Sequence, residues 1–296
     1  MKYLLLGGAG FIGTHLAKKL IALGHDVTII DNLSTSLRPD FPVKFIETNI
    51  IYAPLDEHLI EADVIYFLAG SLGVDYIDKN PKTSLDNNLG LLYKLIPLFQ
   101  RYNKKVIFSS TSEVYGDGPF SEDNNLTIGP PTKLRWAYAA AKLMTEFAII
   151  ANTFPYTIVR FFNVVGPGQL PDYGMVLPRF IRAAKAGEDL TVYGTGDQVR
   201  SFCHVEDAVD ALVKLEAING EIFNLGSDDP ITIIDLAQRV ISVSNSTSNI
   251  KIVPYSDVFS TNHGDILNRI PNLEKLIRHT RFAPKHSLDD IIRDCL

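Results

Sequence analysis

Short unbroken apolar runs recur along the chain, and each is followed by a longer stretch whose apolar positions fall at helical spacing. Lys2–Leu6, Val27–Ile30, Val43–Ile46, Val64–Leu68 and Lys105–Ser109 read as strands without a polar face, the pattern of a sheet covered on both sides. Phe11–Leu23 and Leu89–Arg101 read as helices between them. The alternation predicts an α/β fold with a parallel, doubly wound sheet. Past Val165 glycine and proline become more frequent and the segments shorten, which predicts a smaller α/β lobe. Ile218–Gly226 returns to a strand-like pattern, with Ile222–Asn224 rejoining the main sheet. The expected division places residues 1–165, with parts of 200–225, in the large domain and mainly 166–296 in the lobe.

The first strand runs straight into Gly7, Gly10 and Gly13, spaced three apart, before a helix begins. A dinucleotide-binding turn needs this spacing: the first glycine for the turn, the second for close approach of a pyrophosphate, the third for helix–strand packing. The unpaired N–H groups at the helix start then face the phosphates. The second strand ends at Asp31, eighteen residues after Gly13, where a carboxylate can accept from ribose hydroxyls and repel a 2′-phosphate. This Rossmann arrangement favours NAD over NADP, with Arg38 nearby as the one feature that suits NADP. Ligands of such sheets lie beyond the carboxyl ends of the strands, so Leu68, Ala69 and Gly70, and Ser109 to Glu113, are expected to line the cofactor cleft.

The formal charge of −6 and the absence of a Lys/Arg run argue against a nucleic-acid partner. The apolar run Tyr3–Leu6 is too short for a signal peptide or a membrane span, and the two cysteines, Cys203 and Cys295, have no metal-ligand spacing. The expectation is a cytoplasmic protein with free thiols and no metal.

Tyr138 and Lys142 stand four apart in a stretch of strong helix formers, so both side chains emerge on one helix face. A phenol titrating near pH 10 is a poor base, but a neighbouring ammonium and an oxidised nicotinamide would lower it enough to take a substrate proton as hydride leaves. After the strand that ends at Ser109 comes a hydroxyl cluster with one carboxylate, Ser110-Thr111-Ser112-Glu113.

Taken together, Gly7-Gly8-Ala9-Gly10-Phe11-Ile12-Gly13, Asp31-Asn32-Leu33, Thr111-Ser112-Glu113-Val114-Tyr115-Gly116, Tyr138 with Lys142, and Arg160-Phe161-Phe162-Asn163-Val164-Val165-Gly166-Pro167 resemble the extended short-chain dehydrogenase/reductase superfamily. The resemblance is to its epimerase/dehydratase branch of nucleotide-sugar enzymes and covers nearly the whole chain. It implies that Thr111 positions a sugar hydroxyl, that Tyr138 is the base, and that Lys142 holds the nicotinamide ribose. It implies cofactor contacts from Gly7, Gly10, Phe11, Ile12, Gly13, Asp31, Asn32, Asn49, Ile50, Leu68, Ala69, Gly70 and Ser109. Asn49-Ile50 departs from a more common Asp near the adenine, and Gly70 stands where alanine is typical. Gly194-Thr195-Gly196-Asp197-Gln198-Val199-Arg200 resembles the family's nucleotide-diphosphate segment, with Arg200 on a phosphate; Asn163 and Arg269 occupy further sugar-nucleotide positions. A homodimer through the Leu89–Arg101 and Tyr138–Asn152 helices is also implied.

Members of this branch first oxidise C4 of the sugar to a ketone. A 4-epimerase needs no additional carboxylate, so Glu113, with Ser112, points toward a 4,6-dehydratase or a UDP-glucuronate decarboxylase. Lys133-Leu134-Arg135-Trp136-Ala137-Tyr138 and Val74-Asp75-Tyr76-Ile77-Asp78-Lys79-Asn80-Pro81 look like segments of the decarboxylases, which makes Arg135, Arg200 and Tyr76 candidates to meet a sugar carboxylate. The remote alternative is a non-catalytic NAD-binding regulator, a class that commonly lacks the tyrosine or the lysine.

Overall fold

The structure, a computed structural model, describes residues 1–71, 80–134, 136–170, 175–257 and 266–296. In chain order the large domain contains β1 (Lys2–Leu6), α1 (Phe11–Ala22), β2 (Asp26–Asp31), β3 (Lys44–Glu47), α2 (Asp56–Glu61) and β4 (Val64–Phe67). It continues with α3 (Pro81–Leu85), a π-helical turn at Asp86–Gly90, α4 (Leu91–Tyr102), β5 (Lys105–Thr111), α5 (Trp136–Ile150) and β6 (Tyr156–Phe161). After β7 (Val164–Val165) come α6 (Val176–Ala186), β8 (Leu190–Tyr193), β9 (Val199–Arg200), β10 (Cys203–His204), α7 (Val205–Leu215) and β11 (Glu221–Leu225). The chain ends with β12 (Ile231–Thr232), α8 (Ile233–Ser244), β13 (Ile250–Val253), β14 (Asn268–Arg269), α9 (Glu274–Thr280) and α10 (Leu288–Cys295).

Seven parallel strands form the main sheet in the order β11-β6-β5-β4-β1-β2-β3. Alternate residues of one strand feed opposite faces, as the two-residue period of a strand requires. Tyr3 and Leu5 pack with Leu16 and Leu20 of α1 and Leu212 of α7, whereas Leu4 and Leu6 pack with Leu92, Leu95 and Phe99 of α4. The strands carry no polar face because each lies between two helical layers. The order reverses between β1 and β4, and the crevice at that switch point is where a dinucleotide fits this sheet.

A third core holds the lobe together, with Leu177 and Phe180 of α6, Val192 of β8, Leu236 and Val240 of α8, and Ile291 of α10. The lobe and the sheet interleave further than the periodicity suggests, since Leu273, Leu276 and Phe282 pack into the α1/α7 face of the large domain. Two boundaries move in ways that bear on the site. β5 runs on to Thr111, two residues past the expected end, and Leu91–Tyr102 is preceded by helical residues from Pro81. Among the described residues no helix is long and apolar enough to cross a membrane.

Candidate active site

The glycine turn is built by exclusion. Gly7 has φ +79°, and a Cβ there would lie 2.5 Å from the backbone of Ala69; a Cβ on Gly13 would lie 2.6 Å from the Gly8 carbonyl oxygen. Gly10, the extended residue before α1, caps the helix with no side-chain bond, and the first turn carries no acid. The helix N-terminus therefore presents unpaired N–H groups to the cleft beside Gly7, Gly10, Phe11, Ile12 and Gly13. At the end of β2 the buried Asp31 carboxylate accepts from Ala9 N at 3.1 Å, Leu33 N at 2.8 Å and Ser36 Oγ at 3.2 Å, which ties it to the turn. Arg38 pairs with Glu47 and lies over the Phe45 ring.

The other residues implied on the adenine side stand differently. Asn32 and Asn49 each use the side-chain oxygen on a local backbone N–H, of Ser34 and Ile51 respectively. Ile50 is buried in the core with Leu6 and Ile30. Ala69 backs Gly7, while Leu68 and Gly70 line the cleft.

The cleft has a volume of about 1050 Å³ and runs from the glycine turn across the ends of β4 and β5 into the lobe. Ser109, Thr111, Ser112, Glu113, Tyr138 and Lys142 all line it. Ser109 donates to Phe67 O at 3.0 Å, which stitches the two strand ends together. Thr111 closes β5 and caps the following single turn of 3₁₀ helix, its Oγ1 accepting from Glu113 N at 3.2 Å. That turn swings Glu113 to the lobe side of the cleft. Lys142 is buried and donates to Ser109 O at 2.9 Å.

The electrostatics depart from the sequence-based expectation. Burial raises the Tyr138 phenol above its ordinary value and the Glu113 charge raises it further, while the Thr111 hydroxyl opposes both. The Lys142 ammonium is itself pulled down to about 8 by burial, against the charge of Glu146. Four apart on a helix brings the two side chains to one face, and desolvation is the largest cause of the shift at each.

Glu146, one turn beyond Lys142, is part of a buried network. Arg160 of β6 grips it through two bonds, Nε to Oε1 at 3.1 Å and Nη2 to Oε2 at 2.7 Å, and Ser110 Oγ donates to the same carboxylate. Arg160 also reaches the Tyr115 hydroxyl at 2.8 Å, which donates to Asn224 Oδ1 of β11 at 2.8 Å. The network ties α5, which carries Tyr138 and Lys142, to three strands of the sheet.

The departure at Gly70 has a local reason. A Cβ there would lie 2.6 Å from Asn88 Oδ1 and 3.2 Å from Lys142 Nζ, so the buried Asn88 takes the space that an alanine methyl would need.

On the lobe side, Arg269 of β14 forms an ion pair with Glu113 and donates from Nη2 to Asn163 Oδ1 at 3.3 Å. Asn163, at φ +29°, also donates to Ser201 O at 2.9 Å. The chain thus brings together Glu113, Asn163 and Arg269 from three distant segments. Arg200 is buried on the cleft wall and donates to Val199 O at 2.9 Å and Leu267 O at 3.3 Å. Tyr76 and Arg135 lie outside the described residues.

Sequence reasoning missed Arg179, whose guanidinium lies 4.4 Å from the Tyr193 ring centroid at the far end of the cleft, and Gln198, which donates to Tyr255. Gln198 sits inside the glycine-flanked segment read for Arg200, the only local signal for it. His204 caps α7, accepting from Glu206 N at 3.1 Å, which leaves its chemistry structural. Its neighbours Glu206 and His286 lie close enough to suggest a metal centre, but the two imidazoles stack at 4.1 Å and 25°, so their lone pairs do not converge on one ion.

The sequence profile described as NAD dependent epimerase/dehydratase family matches residues 3–226. A UDP-N-acetyl-alpha-D-glucosaminuronate decarboxylase from Bacillus cytotoxicus is 38% identical, covering 99% of this chain and 96% of the relative. Among solved structures, a UDP-N-acetylglucosamine 4-epimerase from Methanobrevibacter ruminantium, in complex with UDP-N-acetylmuramic acid, superposes with a TM-score of 0.88 at 28% identity, covering 99% and 96% of the two chains. A UDP-glucuronic acid 4-epimerase from Bacillus cereus, in complex with UDP-4-deoxy-4-fluoro-glucuronic acid and NAD, superposes with a TM-score of 0.86 at 25% identity, covering 99% and 97%. With a profile match from the first strand to the end of β11, on a sheet whose switch-point cleft holds the tyrosine–lysine pair, this chain belongs to the NAD-dependent epimerase/dehydratase family.

Proposed function

We propose that this protein decarboxylates a UDP-linked uronic acid through a transient C4 ketone. The observation that carries the reading is the Glu113–Arg269 pair on the lobe side of Tyr138 and Thr111. A uronic acid brings a carboxylate, and Arg269 is a cation held by Glu113 and Asn163 where a planar fork can meet it. The similarity to the Bacillus cytotoxicus decarboxylase supports the same choice.

The cleft suits NAD: a Cβ on Gly10 would meet nothing nearer than Gly7 O at 3.6 Å, so the backbone stays open to a pyrophosphate, the α1 N–H groups face it, and Asp31 stands at the ribose end. Held there, NAD would supply a hydride acceptor for sugar C4 and the same hydride for the return step. Tyr138 takes the C4 hydroxyl proton, with Thr111 holding the same oxygen. The ketone is then β to the carboxylate, so the C5–C6 bond breaks and its electron pair moves to an enolate at C4. Tyr138 and Thr111 stabilise that oxygen by donating hydrogen bonds, a proton from solvent reaches C5 on the Glu113–Arg269 side of the cleft, and Tyr138 gives its proton back to the C4 oxygen as the ketone is reduced. Lys142 holds the nicotinamide ribose, and Arg200 takes a phosphate of the nucleotide, with the lobe of residues 166–296 wrapped around it.

The test is to incubate the purified enzyme with NAD and either UDP-glucuronate or its 2-acetamido counterpart, and to follow product mass. Loss of carbon dioxide from one of them is expected, and Arg269→Met should reduce that turnover by about 10²-fold or more, as removal of a single charged positioning group does. A product of unchanged mass with inverted C4, or loss of water from UDP-glucose, would replace this reading with the epimerase or the dehydratase.

The protein is further proposed to be a homodimer in the reducing cytoplasm, where the free Cys203 and Cys295 stay as thiols. Tyr93 on α4 is 77% exposed, and Met144 and Phe147 on α5 are 56% and 60% exposed, large apolar groups left on two helices of the same face of the sheet. Light scattering is expected to give twice the chain mass, and Met144→Glu with Phe147→Glu to give the monomer. A wild-type monomer removes the proposal.

A further inference from the structure

Asn224 lies within β11 at the edge of the main sheet and is fully buried, where a strand ordinarily carries an apolar residue. A buried amide must find partners, and every polar atom of this side chain has one. Oδ1 accepts from the Tyr115 hydroxyl at 2.8 Å, and Nδ2 donates to Phe120 O at 3.0 Å and to Asn272 O at 3.3 Å. The backbone N–H of Asn224 donates to Glu122 Oε1 at 2.8 Å. Burial pushes the Tyr115 phenol up to about 12, so its proton stays on as the donor.

These partners belong to the two segments that meet at the Glu113–Arg269 pair. Tyr115 closes the 3₁₀ turn Ser112–Tyr115, two residues past Glu113. Asn272 follows Arg269 by three residues, and its own N–H donates to Phe120 O at 2.9 Å, which draws loop 117–123 into the same knot. The chain between Arg269 and Asn272 is pressed onto the end of β11: a Cβ on Gly226 would lie 3.3 Å from Pro271 Cγ. β14, which carries Arg269, is paired only with β9 of the lobe, whereas Glu113 follows directly from β5 of the main sheet. Asn224 bridges the two.

We propose that Asn224 is a positioning residue for the carboxylate end of the site: by holding the Tyr115 hydroxyl with one atom and the Asn272 carbonyl with the other, it sets the separation at which Glu113 and Arg269 pair. The inference rests on the reading of Arg269 as the group that meets the sugar carboxylate. Two long charged side chains can pair over a range of backbone separations, but one amide bonded to both segments allows far less. Arg200 keeps its place without Asn224, through the pairing of β9 with β14 and its bonds to Val199 O and Leu267 O.

The test uses the full-length enzyme loaded with NAD, titrated with UDP-glucuronate and with UDP-glucose, which differ in a carboxylate against a hydroxymethyl group at C6. The 2-acetamido counterparts replace them if turnover selects that series. Asn224→Leu, of similar shape and without donors, is expected to weaken the uronate by about tenfold, the loss of one or two buried hydrogen bonds. The neutral sugar and NAD stay within about twofold of wild type. Tyr115→Phe keeps the ring packed on Phe120 and Phe162 and should shift the same ratio by about threefold. It decides the question if Asn224→Leu fails to fold. Added to Arg269→Met, Asn224→Leu should cost less than about twofold more, because both act through one group. An equal loss for both sugars, or a full additional loss on top of Arg269→Met, overturns the proposal. Arg269→Met that leaves the ratio unchanged overturns the reading of Arg269 as well; a ratio lost in Arg269→Met and kept in Asn224→Leu overturns this inference alone.

Discussion

Tyr138→Phe is expected to cut kcat by about 10²–10⁴-fold, the range for removing a positioned general base, while NAD affinity stays near wild type. The ring remains to fill its place on the cleft wall, and Lys142 keeps its bond to Ser109 O, so the loss falls on the proton and not on binding. The measurement is turnover of the UDP-uronate under saturating NAD, with a cofactor titration beside it. Unchanged turnover would remove Tyr138 from the mechanism. The pH profile adds a second reading. In the protein alone the phenol lies above its ordinary value, so a rate that rises with pH well below 10 measures how far the positive charge of the bound cofactor lowers it. The rate then falls as Lys142 loses its proton near 8.

Arg160→Met should produce the largest loss of stability. It leaves the Glu146 carboxylate buried with Ser110 as its remaining partner, and breaking a buried pair on one side costs about 3–5 kcal/mol. For a chain of this size the melting temperature should fall on the order of 10 °C. Adding Glu146→Leu removes the stranded charge and should recover most of that stability, since an apolar pair can replace a buried ion pair. Activity should not recover with it. Glu146 opposes the lowering of Lys142, so without it the ammonium titrates at still lower pH and the falling limb of the rate moves toward acid. A double variant with the wild-type pH profile would show that Glu146 has no hold on Lys142; a single variant as stable as wild type would show that the network carries no stability.

Much of the site was legible because its signals are local. The glycines at 7, 10 and 13 answer to steric limits set within a few residues and a neighbouring strand end, and the Tyr138/Lys142 spacing follows from helix geometry. The Glu113–Arg269 contact joins residues 156 apart in sequence, and neither side carries a pattern that names the other. Sequence reading left Glu113 without a partner and Arg269 as one more family position; the fold makes them one unit. Gly70 read as an unexplained departure until Asn88 was found in its space, and Asn224 read only as part of a strand rejoining the sheet.

By itself, the sequence determined that this protein has a doubly wound sheet, a glycine turn followed by Asp31 at the end of the second strand, and a tyrosine–lysine pair on one helix face. Periodicity and steric exclusion act over a few residues, so they survive translation into a linear pattern. Only the tertiary structure decided the electrostatics of the protein without its cofactor: that burial and Glu113 push Tyr138 up, that burial pulls Lys142 down to about 8, and that Arg269 stands against Glu113. Desolvation and long-range pairing depend on what the whole fold places around a group, and no local spacing encodes that.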